Sequence, residues 1–146
     1  MNFNIKQIPS EETHSVRHPI LRAGYPIESC VFDGDNLETT FHIGIFSESK
    51  LLGVCSFFKN NSSSFSEKEQ YQLRGMAIVE SHQKKGLGQL LIKHGENILK
   101  TKQADLVWCN ARETATLFYI KNGYKITGEP FNIKTVGIHY VMHKPL

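Results

Sequence analysis

The order of apolar patterns along the chain predicts one α/β (α+β) domain over residues 1–146, with strands and helices interleaved. Three observations carry this. Short apolar runs, alternating or continuous, recur along the chain as half-buried and fully buried strands do. One stretch repeats instead at helical spacing: Leu87, Leu90, Leu91, His94 and Ile98, through to about Lys102. Between the apolar run Leu73–Val79 and that stretch lies Gln83-Lys84-Lys85-Gly86-Leu87-Gly88, a strand-to-helix turn with two glycines.

Taken in order, Phe3 to Ile8 alternates apolar and polar and reads as a first strand. Ser10 is placed to cap a helix, with Glu11 and Glu12 in its first turn. Pro19 argues against an uninterrupted helix through Ile20 and Leu21. The segment from His18 to Pro26 holds two prolines and reads as irregular, and Asp33-Gly34-Asp35-Asn36 is a turn. Phe41–Phe46 and Leu51–Lys59 form a hairpin across Ser47-Glu48-Ser49-Lys50. Asn60-Asn61-Ser62-Ser63-Ser64 is a polar loop, expected to be mobile, and Gln70–Val79 is the central strand. After the long helix, Ala104–Cys109 is another buried strand. Glu113–Lys121 is a short helix with Ala111, Ala115 and Phe118 on one side, stopped by Gly123. Tyr124–Thr127 and Ile138–His143 close the sheet.

Composition narrows the class. At 146 residues the chain is long enough for a substantial core. Hydrophobic residues make up 40% and charged residues 21%, as in an ordinary globular protein. A net charge of +3 is too weak to argue for nucleic acid. Cys30, Cys55 and Cys109 are an odd number without paired spacing, so they read as reduced, mostly buried thiols in a cytoplasmic protein. No apolar run is long enough to span a bilayer, and no secretory signal region begins the chain, so no membrane association is expected.

The turn carries the chemistry. Glycines allow a close backbone approach, and the first amides of the helix lack intrahelical partners. With Lys84 and Lys85 beside the positive end of the helix dipole, the turn suits a phosphate. A P-loop would need Lys-Ser/Thr after the last glycine, but Gln89 follows Gly88; a dinucleotide fingerprint would need glycine where Leu91 stands. Gln-x-x-Gly-x-Gly instead resembles the pyrophosphate loop of the GNAT superfamily of N-acetyltransferases, which use acetyl-CoA. A second match follows at the right separation: Trp108-Cys109-Asn110-Ala111-Arg112, then Ala115-x-x-Phe118-Tyr119-x-x-x-Gly123-Tyr124, which is similar to that family's fifth strand and following helix. The resemblance runs from about Phe3 to His143.

The resemblance implies a GNAT acyl-CoA N-acyltransferase fold: a mixed central sheet of six to seven strands, splayed between the fourth and fifth. Met76, Ala77 and Ile78 would offer backbone to the pantetheine arm. Gln83, Lys84, Lys85, Gly86, Leu87, Gly88 and Gln89 would hold the pyrophosphate. Asn110 would end the second splayed strand and bond the pantetheine, with Phe118 packing nearby. Tyr119 would lie near the coenzyme sulfur and donate to the leaving thiolate after a neutral amine attacks the thioester directly. Model values near 10 for Tyr and 8.5 for a thiol make full transfer uphill by roughly 2 kcal/mol, which favours a strong hydrogen bond with coupled proton delivery. Where some members carry a basic carboxylate this chain has Gln72, which cannot take a proton; Glu80, Glu113, His42 and His139 remain candidates. Arg74 and Arg112 either meet an acidic substrate or salt-bridge the fold. His139 and His143 share a strand face but stand too far apart for one metal, so no metal is expected. Cys109 is a nucleophile only in a ping-pong scheme.

The function implied is transfer of an acetyl group from acetyl-CoA to a primary amine on a small molecule or peptide, without nucleic acid or membrane as partner. A non-catalytic acyl-CoA-binding module of the same fold is the alternative, and binding without turnover would reveal it. The acceptor walls fall at Pro19–Pro26, Asn60–Ser66 and Phe131–His139. Oligomeric state stays open, a homodimer being common in the family.

Overall fold

The computed structural model describes residues 2–146. Its elements are β1 (Phe3–Ile8), α1 (His14–Leu21), β2 (Phe41–Ser47), β3 (Lys50–Lys59), β4 (Gln70–Ile78), α2 (Leu87–Thr101), β5 (Leu106–Arg112), α3 (Thr116–Lys121), β6 (Lys125–Ile133) and β7 (Gly137–Pro145). Hydrogen bonding orders the seven strands β1-β2-β3-β4-β5-β7-β6. The pairs β1–β2, β2–β3, β5–β7 and β6–β7 are antiparallel, whereas β4–β5 is parallel. That parallel ladder holds three pairs, Gln70–Leu106, Tyr71–Val107 and Gln72–Trp108, and among the described residues it runs no further. The mixed sheet and the early end of this ladder match the expected splay.

The chain divides into two compact units: residues up to Phe58 with Leu73–Asn97, and Lys59–Gln72 with Ile98–Leu146. In the first, Ile8, Val16, Phe46, Val54 and Ala77 form a buried cluster, with Ile20, Leu21, Leu51 and Val79 packed on it. Gly95 of α2 lies so close to Phe57 that a Cβ there would sit 2.2 Å from the ring. In the second unit the core includes Leu99, Leu106, Val107, Trp108, Tyr124 and Met142.

Several boundaries differ from expectation, each for a local reason. Ser10 does not cap a helix. It begins a 3-10 turn, Ser10–Thr13, and its hydroxyl donates to Asn36 Oδ1 at 2.7 Å. Pro19 lies inside α1, which continues to Leu21. The proline is exposed and in the last turn, where an unpaired carbonyl costs least, and Arg22 N–H still reaches the His18 carbonyl (3.1 Å). The polar loop after β3 is tied down: Asn61 Nδ2 donates to the Lys68 carbonyl, and Ser62 N–H to Gln70 Oε1.

The fifth strand starts at Leu106, two residues later than expected, and runs to Arg112. Ala104 belongs to the helix stop: its amide returns to the Leu99 carbonyl (3.0 Å) past Gln103 at φ +61°. A glutamine in the left-handed position hid that stop from the sequence. Arg112 stays in the strand because it pairs with His139, and Ala111 belongs to this strand rather than to α3. The last hairpin is also longer. Gly128-Glu129-Pro130 interrupts the pattern, but β6 lies at the sheet edge and absorbs it as a register shift between Thr127 and Phe131. Phe131–His139 thus falls within the last hairpin.

Candidate functional site

Two groups of residues, one in each unit, correspond to the motifs. In the first unit β4 leads into the turn. Val79 N–H donates to the Leu52 carbonyl (2.8 Å), fixing the strand's exit. A 3-10 turn, Glu80–His82, follows, and Gln83 Nε2 donates back to the Ile78 carbonyl at 2.9 Å. Gln83, Lys84, Lys85 and Gly86 are exposed, with Lys84 at φ +63° and Gly86 at φ +84°. Two left-handed residues so close together turn the backbone sharply into α2. Gly86 can adopt that angle without strain, and among the described residues no atom beyond its chain neighbours comes within 4 Å of the place a Cβ would occupy.

Leu87 is 1% exposed and anchors the start of α2, while Gln89 is open to solvent. The bond from Leu90 N–H to the Gly86 carbonyl (3.3 Å) begins the helix, so the amides just before it have no helical partner. The first turn of α2 carries no acidic residue. Free amides, a helix dipole and two lysines therefore meet in one exposed turn, an arrangement suited to a di-anionic phosphate. Upstream, Met76 and Ile78 are half-buried, and Ala77 is buried in the core.

In the second unit Asn110 is exposed on β5 between the buried Cys109 and Ala111, and it pairs with Val141. It stands inside the strand, not at its end as expected. In α3 Phe118 is half-buried and Tyr119 is 7% exposed. Asn122, Gly123 and Tyr124 close the helix: Gly123 N–H meets the Ile120 carbonyl and Tyr124 N–H the Tyr119 carbonyl, both at 3.0 Å, with Gly123 at φ +93°. This is the paired-bond glycine stop, and its usual apolar contact is the Tyr119–Tyr124 ring pair, 5.5 Å between centroids. Phe118 packs edge-on against the other side of Tyr119 at 5.1 Å. Two aromatic rings and a hydrogen-bonded helix end thus hold the Tyr119 ring.

The base candidates separate. Gln72 is buried, and its Oε1 accepts from Asn60 Nδ2 (3.0 Å), while the Asn60 carbonyl accepts from Trp108 Nε1 (2.9 Å). Gln72 is thus held as an oriented amide. His42 is buried in the first unit: its Nε2–H donates to the Asp35 carbonyl (2.9 Å), and Nδ1 accepts from the Ser56 hydroxyl (2.6 Å). Burial pushes its pKa below the usual histidine value. His139 is buried too and donates from Nδ1 to the Gly137 carbonyl (2.8 Å). Glu80, Glu113 and Arg112 are exposed. Burial pushes the Cys109 thiol up to about 12, which suits a core thiol rather than a nucleophile.

Sequence reading passed over a polar cluster in the first unit. Arg17, fully buried, donates from Nη1 and Nη2 to the Asp35 carboxylate (2.7 and 3.1 Å), to the Cys30 carbonyl (2.8 Å) and to Ser56 Oγ (3.0 Å). Phe32 N–H adds a bond to Asp35 (2.9 Å). Asp35, expected as a turn residue, is the buried partner of Arg17, 18 positions before it.

A seven-stranded mixed sheet, a parallel pair that ends early and a phosphate-suited turn after the fourth strand together define an acyl-CoA N-acyltransferase fold. The chain belongs to the acetyltransferase (GNAT) family, whose model matches residues 5–124. It is 40% identical over 144 residues to YitI of Bacillus subtilis (strain 168), an uncharacterized N-acetyltransferase, which covers 99% of this chain and 97% of that protein. Among solved structures it is similar to an aminoglycoside 6'-N-acetyltransferase complexed with coenzyme A, with a TM-score of 0.77 at 14% identity over 97% of this chain and 96% of that one. It is also similar to the ribosomal-protein-S18-alanine N-acetyltransferase of Escherichia coli, with a TM-score of 0.74 at 14% identity over 99% and 94%. At such identities these two show the fold alone.

Proposed function

We propose that this protein is an acetyl-CoA-dependent N-acetyltransferase that passes the acetyl group directly to a primary amine. The observation that carries the reading is the turn from Gln83 to Gln89, where exposed amides and two lysines converge at the start of a 15-residue helix with no acid in its first turn. Such a turn fits the pyrophosphate of coenzyme A, and the coenzyme A complex of a structural relative supports it. In this reading Met76, Ala77 and Ile78 offer backbone to the pantetheine arm.

The donor supplies an activated thioester. The reaction forms a C–N bond and breaks the C–S bond, so the thiolate must gain a proton and the amine must lose one. Tyr119 supplies the first need: its ring is fixed by Phe118, Tyr124 and the helix end, which orients the phenol with little further entropy loss. Its O–H donates to sulfur as negative charge develops there. The second need has no side chain on the central strand to meet it, because Gln72 is an amide already bonded to Asn60. The amine's proton therefore leaves through water, or the enzyme binds the minor neutral form of the amine.

Calorimetric titration of acetyl-CoA into the wild type and Gly86→Glu tests the loop. The substitution sets a carboxylate in the turn at a left-handed angle. Binding by the wild type and its loss in a folded variant support the assignment; equal affinity in both overturns it.

A further inference from the structure

Three arginines of the first unit surround one phenyl ring. The guanidinium carbons of Arg17, Arg22 and Arg74 lie 3.9, 5.0 and 5.0 Å from the Phe32 centroid, and Arg74 also lies 5.1 Å from that of Phe58. Arg17 is spent on four hydrogen bonds, including the fork onto Asp35. Arg74 is not. It is half-buried, held against two rings, and among the described residues it has neither a carboxylate partner nor a hydrogen bond. Among the described residues the Arg22 guanidinium donates only to the Leu21 carbonyl (3.1 Å).

This is a costly arrangement for a purely structural arginine. Burial, together with the charges of Arg17 and Arg22, pushes the pKa of Arg74 down, against the fields of Asp35 and Asp33. Asp35 is committed to Arg17, and Asp33 is exposed. Counting these two acids against the three arginines leaves one positive charge over. A guanidinium held over aromatic rings, with unused donors, is poised for a planar or tetrahedral oxyanion. Arg74 also lies on β4 two residues before Met76, about 7 Å along a strand.

We propose that the acceptor is an amine bearing an anionic group, a carboxylate or phosphate, and that Arg74 backed by Arg22 receives that group. This rests on the acetyltransferase reading above. It makes Arg74 a specificity residue: it binds the acceptor's acid end and leaves the amine free to reach the thioester.

The test compares acid-bearing amines with neutral counterparts: glycine against glycinamide, and O-phosphoethanolamine against ethanolamine. In each pair the neutral member has the less basic amine, so intrinsic reactivity opposes the expected preference. The wild type should favour the anionic member of at least one pair in kcat/KM, and the two pairs distinguish carboxylate from phosphate. In Arg74→Gln that preference should shrink by roughly ten- to a hundredfold, the range of one charge-assisted hydrogen bond, mostly through acceptor KM. Arg22→Gln should shrink it less, and Arg74→Lys, which keeps the charge, covers the case in which the glutamine variant fails to fold. A second arm needs no turnover: succinate titrated calorimetrically in the presence of coenzyme A should bind the wild type and bind Arg74→Gln at least about tenfold more weakly. Preference for the neutral members, or equal succinate binding in folded variants, overturns the proposal. Failure to bind acetyl-CoA or to acetylate any amine overturns the acetyltransferase reading instead, and the succinate arm then decides the anion site alone.

Discussion

Replacing Asp35 by Asn tests the buried cluster that supports Phe32. The carboxylate accepts two hydrogen bonds from Arg17 and one from the Phe32 amide, and Arg17 is 0% exposed. An asparagine keeps the shape but removes the charge and turns an N–H group toward one of these donors. The guanidinium is then buried without compensation, which typically costs about 3–5 kcal/mol. The bonds from Arg17 to the Cys30 carbonyl and Ser56 remain, so the lower end, about 3 kcal/mol, is expected. For a chain of this length that lowers the melting temperature by roughly 10 °C. Removing the stranded charge as well, in Asp35→Asn with Arg17→Met, should cost clearly less than the sum of the two single changes, with a coupling of roughly 1 kcal/mol or more. Urea unfolding of the four proteins measures the cycle. A loss below about 1 kcal/mol in Asp35→Asn, or additive effects, would refute the claim that this pair is a strongly coupled buried unit.

Tyr119→Phe keeps the ring contacts with Phe118 and Tyr124 and removes the donor, so kcat should fall by a factor of roughly 10² to 10⁴ with acetyl-CoA affinity nearly unchanged; turnover within about twofold of wild type makes the residue structural. With Gln72 unable to take a proton, kcat/KM should rise with pH well above neutrality and follow the acceptor's basicity; one inflection near pH 6.5 shared by two acceptors of different basicity would point to a histidine base. Stability should also depend on pH. Burial holds His42 below its usual pKa, so the unfolded chain binds that proton first, and the stability His42 contributes is present above about pH 6.5 and is lost as pH falls below it. For Asp35, burial pushes the pKa up, but the bonds from Arg17 and Phe32 outweigh it and hold it low, so its contribution is lost only in a second step, as pH falls below about 4. Unfolding curves at a series of pH values should show both steps, and His42→Gln should remove the first.

The strand and helix order was legible because it rests on periodicity. Leu87, Leu91 and the run from Leu73 fall where a buried helix face and strand require. The turn was legible because backbone geometry demands particular residues: Gly86 and Gly123 both adopt left-handed angles. What escaped reading involved contacts distant in sequence or stops without their usual residue. Gln103 ends α2 without a glycine, so the start of β5 was misplaced. Pro130 is tolerated because β6 lies at an edge, a fact of sheet order rather than local pattern. Arg17 and Asp35 lie 18 positions apart, and nothing local marks them as a pair. Arg74, expected either to meet an acidic substrate or to salt-bridge the fold, lies over Phe32 and Phe58 and has no carboxylate partner among the described residues.

The central claim is direct acetyl transfer from acetyl-CoA to an amine. Its most direct measurement incubates the protein with isotopically labelled acetyl-CoA and a broad amine panel, then follows the label by mass spectrometry in both amine and protein. Label should appear in an amine together with an equal amount of free coenzyme A, and the protein, with Cys109 buried and its thiol pushed up to about 12, should carry no acetyl group. Acetyl-CoA bound without label reaching any amine, or a labelled Cys109 that passes its acetyl group on, would contradict it.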